Sequence, residues 1–209
     1  MVAIQSFRSK EMEPRRVTVL GSTGSVGCNT VSMLESESGQ YQVEALTARS
    51  NVKLLAEQAR RLKPKMVVLS DKSFYRDLKR ELAGSGVQVL AGAEALVEAA
   101  SLNADWVMAA IVGTAGLAPT LAAIRHGAVV ALANKECLVS AGVLLTKEVK
   151  KFGSDLLPVD SEHNGIFQVF DFNHPEGVEK IILTASGGPF RCFNREQMRD
   201  VTPEEAVVH

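Results

Sequence analysis

The sequence predicts an α/β protein built on a doubly wound, mostly parallel sheet, and three observations carry that reading. Short β-rich apolar runs alternate with helical patterns from about residue 16 to residue 159. The runs are continuously apolar rather than alternating, as strands covered by helices on both faces should be. A glycine-rich turn, "GSTGSVG" (21–27), sits where the first run gives way to the first helix.

Taken in order, "RVTVL" (16–20) is a short strand and 21–35 turns into a helix. "YQVEALTA" (41–48) is a second strand. In 51–63, Val52, Leu55, Ala59 and Leu62 recur at helical spacing. "MVVLS" (66–70), a helix over 73–83, "VQVLA" (87–91) and a helix over 93–101 follow. "WVMAAIV" (106–112), a helix over 117–126 and "AVVALAN" (128–134) continue the rhythm, and a helix over 135–151 leads to "SDLLPV" (154–159). After Asp160 the rhythm changes. Residues 162–170 read as a helix, 172–177 as a loop, 178–186 as a strong strand and 186–191 as a glycine turn. Two short helical stretches close the sequence, the second opening at Thr202–Pro203. The expected division is a flexible tail over 1–15, a nucleotide-binding domain over 16–159 and a second domain from 160 to 209. The stop at "EEAVVH", in what reads as mid-helix, makes that second domain look partial.

Bulk properties narrow the function. With 23 basic and 24 acidic side chains in 209 residues, no long-range field steers the chain to nucleic acid or an anionic membrane. No apolar run approaches the roughly 20 residues that span a bilayer. The first sixteen residues lack the apolar centre of a signal peptide. Cys28, Cys137 and Cys192 are widely spaced and in no CxxC pair, which fits a reducing cytoplasm better than a zinc knot.

The glycines of "GSTGSVG" have distinct uses. Gly21 takes the tight turn, Gly24 lets a pyrophosphate approach the backbone, and Gly27 permits close helix–strand packing. The spacing is G-x-x-G-x-x-G, a variant of the usual dinucleotide fingerprint, and a plain glycine turn is the competing explanation. Position at the first strand–helix junction favours the Rossmann-like reading. About 20 residues on, an NAD site wants a carboxylate for the ribose 2′-hydroxyl. The stretch "LTARSN" (46–51) has none, offering instead Arg49, Ser50 and Asn51. A 2′-phosphate would be welcome there and nothing repels it, so NADP(H) is expected over NAD(H). A solvated surface arginine is the plain alternative. In "LANKE" (132–136), Asn134, Lys135 and Glu136 lie at a strand's C-terminal edge, where ligands of open α/β sheets bind. A lysine opening a helix opposes the dipole unless it faces an anion. "LLPVDSEHN" (156–164) then puts Asp160, Ser161, Glu162 and His163 at the lip of the core. Alone, this reads as a helix cap with an acid in the first turn.

Taken together, "GSTGSVG", "LANKE", "LLPVDSEHN" and "SGGPFR", in this order and at these distances, resemble the 1-deoxy-D-xylulose 5-phosphate reductoisomerase family. The likeness runs from about residue 16 to the end and includes the style of "VMAAIVGTAGLAPTLAAIRHG" (107–127). The resemblance implies an NADPH- and divalent-metal-dependent isomeroreductase. Its product is 2-C-methyl-D-erythritol 4-phosphate, an isoprenoid precursor. It also implies that residues from 160 onward begin an α+β catalytic domain. Residue by residue, Thr23, Gly24, Ser25 and Val26 would line the pyrophosphate, and Arg49, Ser50 and Asn51 the 2′-phosphate. Asn134, Lys135 and Glu136 would contact cofactor. Asp160 and Glu162 would bind Mg²⁺ or Mn²⁺, with Co²⁺ a further candidate. Lys135, Ser161, Glu162, Ser186 and His209 would contact the phosphorylated sugar, and Lys135, Glu162 and His209 would take part in catalysis. The family often has glycine where Arg49 stands and serine where Cys137 stands.

On this view Asp160 and Glu162, two apart on an extended segment, project to one side. A divalent cation would relieve their repulsion and chelate substrate oxygens. His163 would orient a ligand or simply sit on the helix, and His126 and His174 read as surface or loop residues. A homodimer is implied, built through catalytic-domain strands. Competing readings are another NADP-linked oxidoreductase, of semialdehyde or homoserine dehydrogenase type, and a non-catalytic NADP-binding module. The first gives no reason for "DSE". As a 209-residue chain the protein is expected to bind NADPH yet be inactive alone.

Overall fold

The computed structural model describes residues 13–37, 39–185 and 187–208. The chain divides into two compact units, with the boundary between Val159 and Asp160.

In the first unit, β1 (Arg15–Leu20), β2 (Tyr41–Ala48), β3 (Met66–Leu69), β4 (Gln88–Ala91), β5 (Trp106–Ala109), β6 (Val129–Leu132) and β7 (Asp155–Pro158) form one sheet. Their order is β4-β3-β2-β1-β5-β6-β7, and every neighbouring pair is parallel. Six helices connect them: α1 (Ser25–Ser36), α2 (Val52–Leu62), α3 (Tyr75–Glu81), α4 (Ala93–Ala100), α5 (Leu117–Arg125) and α6 (Glu136–Phe152). Parallel strands need such crossovers, which is why strand and helix patterns alternate so regularly in the sequence. Leu34, Leu55, Ala59 and Leu78 from α1–α3 join one apolar core with Val17, Val19 and Val67. Leu96 and Ala99 of α4, Ile124 of α5 and Leu145 of α6 pack into two further clusters against strand residues such as Val68, Val107 and Val130. Successive strand side chains thus enter different cores, so neither face of the sheet tolerates a polar stripe.

Two local features set the geometry at the carboxyl ends of the strands. The order reverses between β1 and β5, opening the crevice where open α/β sheets bind ligands. β2 carries one extra residue: Val17 pairs with Val43 but Thr18 pairs with Ala45, leaving Glu44 as a bulge. Val19 then pairs with Leu46, bringing Thr47 level with the turn that follows Leu20. Glu44 is buried and bonded at 2.7 Å to the exposed Lys65 ammonium.

The second unit contains α7 (Ser161–Val169) and the short α8 (Pro203–Ala206). Asp160 caps α7 by accepting from the His163 amide at 3.1 Å. Thr202 and Glu205 form a reciprocal capping box on α8. Phe172 stacks at a tilt against Phe167 and Phe170, with centroids 5.5 and 4.8 Å away. The strand predicted over 178–186 is not formed in its described part, 178–185. Strand backbone bonds are made to a neighbour, and no strand of this unit is present among the described residues to supply one. Ile181, Ile182 and Leu183 are accordingly exposed. No helix among the described residues is long and apolar enough to cross a membrane.

Candidate functional site

The turn after β1 is built by its glycines. Gly21 has φ +86°, and a Cβ there would lie 2.7 Å from the Ala110 carbonyl oxygen. A Cβ on Gly27 would lie 2.1 Å from the Gly21 oxygen, so only glycine lets α1 start this close to the end of β1. Gly24 is different. It is the N-cap of α1 in ordinary extended geometry (φ −78°), and its Cβ would meet nothing nearer than 3.5 Å. The fold alone therefore tolerates a side chain at 24; the open space is the kind a close ligand would use.

The helix end above Gly24 is electrically bare. No side chain caps α1 and no acid occupies its first turn. No hydrogen bond among the described residues engages the amides of Thr23, Ser25 and Val26. Unpaired N–H groups at the positive end of a helix form an anion site. A cleft of about 540 Å³ opens beside it, lined by Gly21, Thr23, Gly24, Arg49, Ser70 and the wall formed by Ala110, Ile111, Val112 and Ala115.

At the far end of β2 the structure adds something the linear reading missed. Arg49 and Ser50 are exposed, and Asn51 caps α2 by accepting from the Leu54 amide at 3.2 Å. The segment lacks an acid of its own, but Asp71 comes up beside it from the end of β3, its amide bonded to the Arg49 carbonyl at 3.1 Å. The Asp71 carboxyl is held below the usual range, first by the Ser73 hydroxyl and amide and then by the Arg49 guanidinium. The expectation that nothing there repels a phosphate is thus corrected. Arg49 shares its field with a carboxylate, which lowers what it can offer a 2′-phosphate.

Asn134 is also more than an edge residue. It is 3% exposed, and its side-chain NH₂ donates to the carbonyls of Ile111 and of Gly113, the latter at 2.8 Å. Both donor hydrogens therefore hold the wall of the cleft, and the carboxamide oxygen is buried without a partner among the described residues. Lys135 and Glu136 are exposed at the start of α6, and among the described residues no ion pair engages Lys135. Cys137 is fully buried; desolvation pushes its thiol up, opposed by a bond with the Thr120 hydroxyl. It is a packing residue.

In the second unit Asp160 and Glu162 do not lie on an extended segment. They occupy the N-cap and the first turn of α7, as the plain helix-cap reading had it. His163 bonds through Nδ1 to the Asp160 carboxylate at 2.7 Å. This pairs the imidazole with a candidate ligand, an arrangement often found around bound metals. Ser161 and Glu162 line a cavity of about 410 Å³ with Gly165, Ile166, Lys180 and Ile182. No cluster of three or more metal-ligating side chains occurs among the described residues. Ser186 and His209 lie outside the described residues.

The fold and cleft define an α/β protein of the Rossmann type. Comparison with known proteins narrows this: a profile of 1-deoxy-D-xylulose 5-phosphate reductoisomerase matches residues 17–142, and one of that enzyme's C-terminal domain matches 156–209. The chain belongs to this family. It is 60% identical over 195 residues to the 1-deoxy-D-xylulose 5-phosphate reductoisomerase of Rhodospirillum centenum, covering 93% of this chain and 48% of the relative. The Zymomonas mobilis enzyme, solved in complex with NADPH, superposes with a TM-score of 0.87 at 58% identity, over 94% of this chain and 52% of that one. A further reductoisomerase structure, in complex with NADPH, fosmidomycin and magnesium, gives a TM-score of 0.81 at 39% identity, over 93% of this chain and 51% of that one. The chain spans about half the length of the curated relatives it matches.

The glycines separate two roles that stability measurements distinguish. Gly27→Ala should lower stability by about 1–3 kcal/mol, because backbone must move to admit the methyl. Gly24→Ala should cost less than about 1 kcal/mol, since its φ suits alanine and space is open. Thermal unfolding of both variants checks this, and equal losses would contradict it.

Proposed function

We propose that this chain supplies the NADPH-binding part, and the start of the metal- and substrate-binding part, of a 1-deoxy-D-xylulose 5-phosphate reductoisomerase. The observation that carries the reading is the uncapped, acid-free N-terminus of α1 at the β1/β5 switch point, beside a cleft of about 540 Å³. The amides of Thr23, Ser25 and Val26 would bind the pyrophosphate. Arg49, Ser50 and the free NH₂ of Asn51 would meet the 2′-phosphate. The wall held by Asn134 would border the cofactor, so Asn134 would act on it through the Ile111 and Gly113 carbonyls that it fixes. Lys135 would face an anionic group, and Glu136 would contact cofactor beside it.

In the second unit Asp160 and Glu162 are hard oxygen donors suited to Mg²⁺ or Mn²⁺, and Co²⁺ is the softer alternative. A metal bound there would polarise the substrate's carbonyl and neighbouring hydroxyl oxygens. His163 would hold Asp160 in orientation. Ser161 and Glu162, with Ser186 and His209, would contact the phosphorylated sugar. A homodimer and a cytoplasmic setting belong to the same proposal, supported respectively by the exposed apolar segment at 181–183 and by the cysteine usage.

NADPH should bind better than NADH. Charge-assisted hydrogen bonds to the phosphate are worth about 1.5–3 kcal/mol. With Asp71 beside Arg49 the lower figure, roughly tenfold, is expected. Fluorescence titration of both nucleotides decides it. Arg49→Ala should narrow the ratio and Gly24→Ala should weaken both nucleotides; equal affinities in the wild type would overturn the cofactor assignment.

Two carboxylates hold a hard cation loosely, because such ions take six or more oxygens. Mn²⁺ should therefore bind weakly and Asp160→Asn should abolish the binding, as calorimetry would show; unchanged binding would place the metal elsewhere. With so sparse a ligand set, the 209-residue chain should consume NADPH with 1-deoxy-D-xylulose 5-phosphate and Mn²⁺ far more slowly than about 1 per second, an ordinary enzyme rate. The same chain fused to the remaining half of the Rhodospirillum centenum relative should reach that range. A folded fusion that binds NADPH and metal without turnover would refute the proposed reaction.

A further inference from the structure

The phosphate loop is locked from beneath by two side chains that make no part of the cleft. All the hydrogen-bonding groups of Gly21 and Ser22 are satisfied inside the protein. The Gly21 amide donates to the Thr47 hydroxyl oxygen at 2.9 Å, and the Gly21 carbonyl accepts from the Gly24 amide at 3.1 Å. The Ser22 amide donates to the Thr47 carbonyl at 2.7 Å. The Ser22 carbonyl accepts from Gln58 Nε2 at 2.9 Å, and the Ser22 hydroxyl donates to Gln58 Oε1 at 2.7 Å. Ser22 and Thr47 are 0% exposed and Gln58 is 1% exposed. Gln58 therefore holds one residue of the loop through both its carbonyl and its side chain. It does so from the buried face of α2, between Leu55 and Ala59 of the apolar core.

A buried glutamine in that position is costly unless its amide is fully bonded. Valine in place of threonine would fill the same space at 47. The chain instead has polar groups at both sites, and each is matched to a backbone group of the loop. We infer that Gln58 and Thr47 are positioning residues for nucleotide binding: they fix Gly21–Ser22 so that the amides of Thr23, Ser25 and Val26 are already arranged for the pyrophosphate. Ordering the loop before the ligand arrives removes an entropic cost from binding. The inference rests on the nucleotide reading of the cleft. It also carries a selectivity consequence. The pyrophosphate is common to NADPH and NADH, so loosening the loop weakens both equally and leaves their ratio as it was.

The test is titration of NADPH and NADH into the wild type, Gln58→Met and Thr47→Val, well below each protein's unfolding midpoint. Hydrogen exchange of the loop amides is measured on the same samples. If the binding-ready loop falls to about a tenth of the population, both affinities fall about tenfold with an unchanged ratio. Exchange at Gly21, Ser22 and Gly24 should rise in parallel. A core variant away from the loop, Val130→Ala, should lower the midpoint while leaving both affinities and loop exchange at wild-type values. Should Gln58→Met fail to fold, Thr47→Val carries the test, since it removes one acceptor at constant volume. Wild-type affinities in the folded variants would overturn the inference alone, as would an equal loss in Val130→Ala. A wild type that binds neither nucleotide would take down the reading of the cleft and this inference with it.

Discussion

At the switch point between β1 and β5 the backbone must leave a buried strand, reverse and enter α1 almost in contact with the turn it has just made. The constraint is steric: a single Cβ at position 27 would sit 2.1 Å from the Gly21 oxygen. Much else on this side of the sheet follows from that approach. It keeps the start of α1 near the sheet edge, with its first amides unpaired at the rim of the cleft. It also forces the inner groups of Gly21 and Ser22 away from water, so they need partners in the protein. Thr47 and Gln58 supply them. A rigid, internally satisfied turn below and bare amides above are two consequences of one packing requirement.

The wall opposite is held by the same logic. Asn134 uses both of its donor hydrogens on carbonyls of the β5–α5 connection, at Ile111 and Gly113. A Cβ on Gly116 would come within 2.5 Å of that Asn134 nitrogen. The cleft is thus bounded on two sides by backbone pinned through buried side-chain amides, Gln58 and Asn134. Preorganised backbone of this kind is what a polyanionic cofactor requires, because its phosphates gain little from groups that must first be ordered.

Much of this was legible in the sequence. The alternation of elements, the glycine turn and the change of rhythm at Asp160 all come from local patterns, and parallel sheets covered on both faces write those patterns strongly. What stayed hidden depends on residues brought together from distant parts of the chain. Asp71 reaches Arg49 across neighbouring strand ends, so a search along residues 46–51 could not see the carboxylate. The register that aligns Thr47 with Gly21 depends on the bulge at Glu44, which leaves no turn residue as a marker. Gln58 did leave a trace: a polar side chain three residues after Leu55, on the face of a helix expected to be apolar. The segment 178–185 failed for the opposite reason. Its composition is strand-like, but composition cannot supply the neighbour whose backbone a strand must bond. At Asp160 and Glu162 the plain helix-cap geometry and the proposed metal chemistry use the same carboxylates, and sequence alone could not separate them.

The proposed function requires that the α1 N-terminus receive a pyrophosphate. The direct measurement is a crystal structure of this chain with NADPH bound. The pyrophosphate oxygens are expected within hydrogen-bond distance of the amides of Thr23, Ser25 and Val26, with the Gly21–Ser22 turn unchanged and the 2′-phosphate beside Arg49. A nucleotide seated with its phosphates elsewhere, leaving those amides to water, would contradict it.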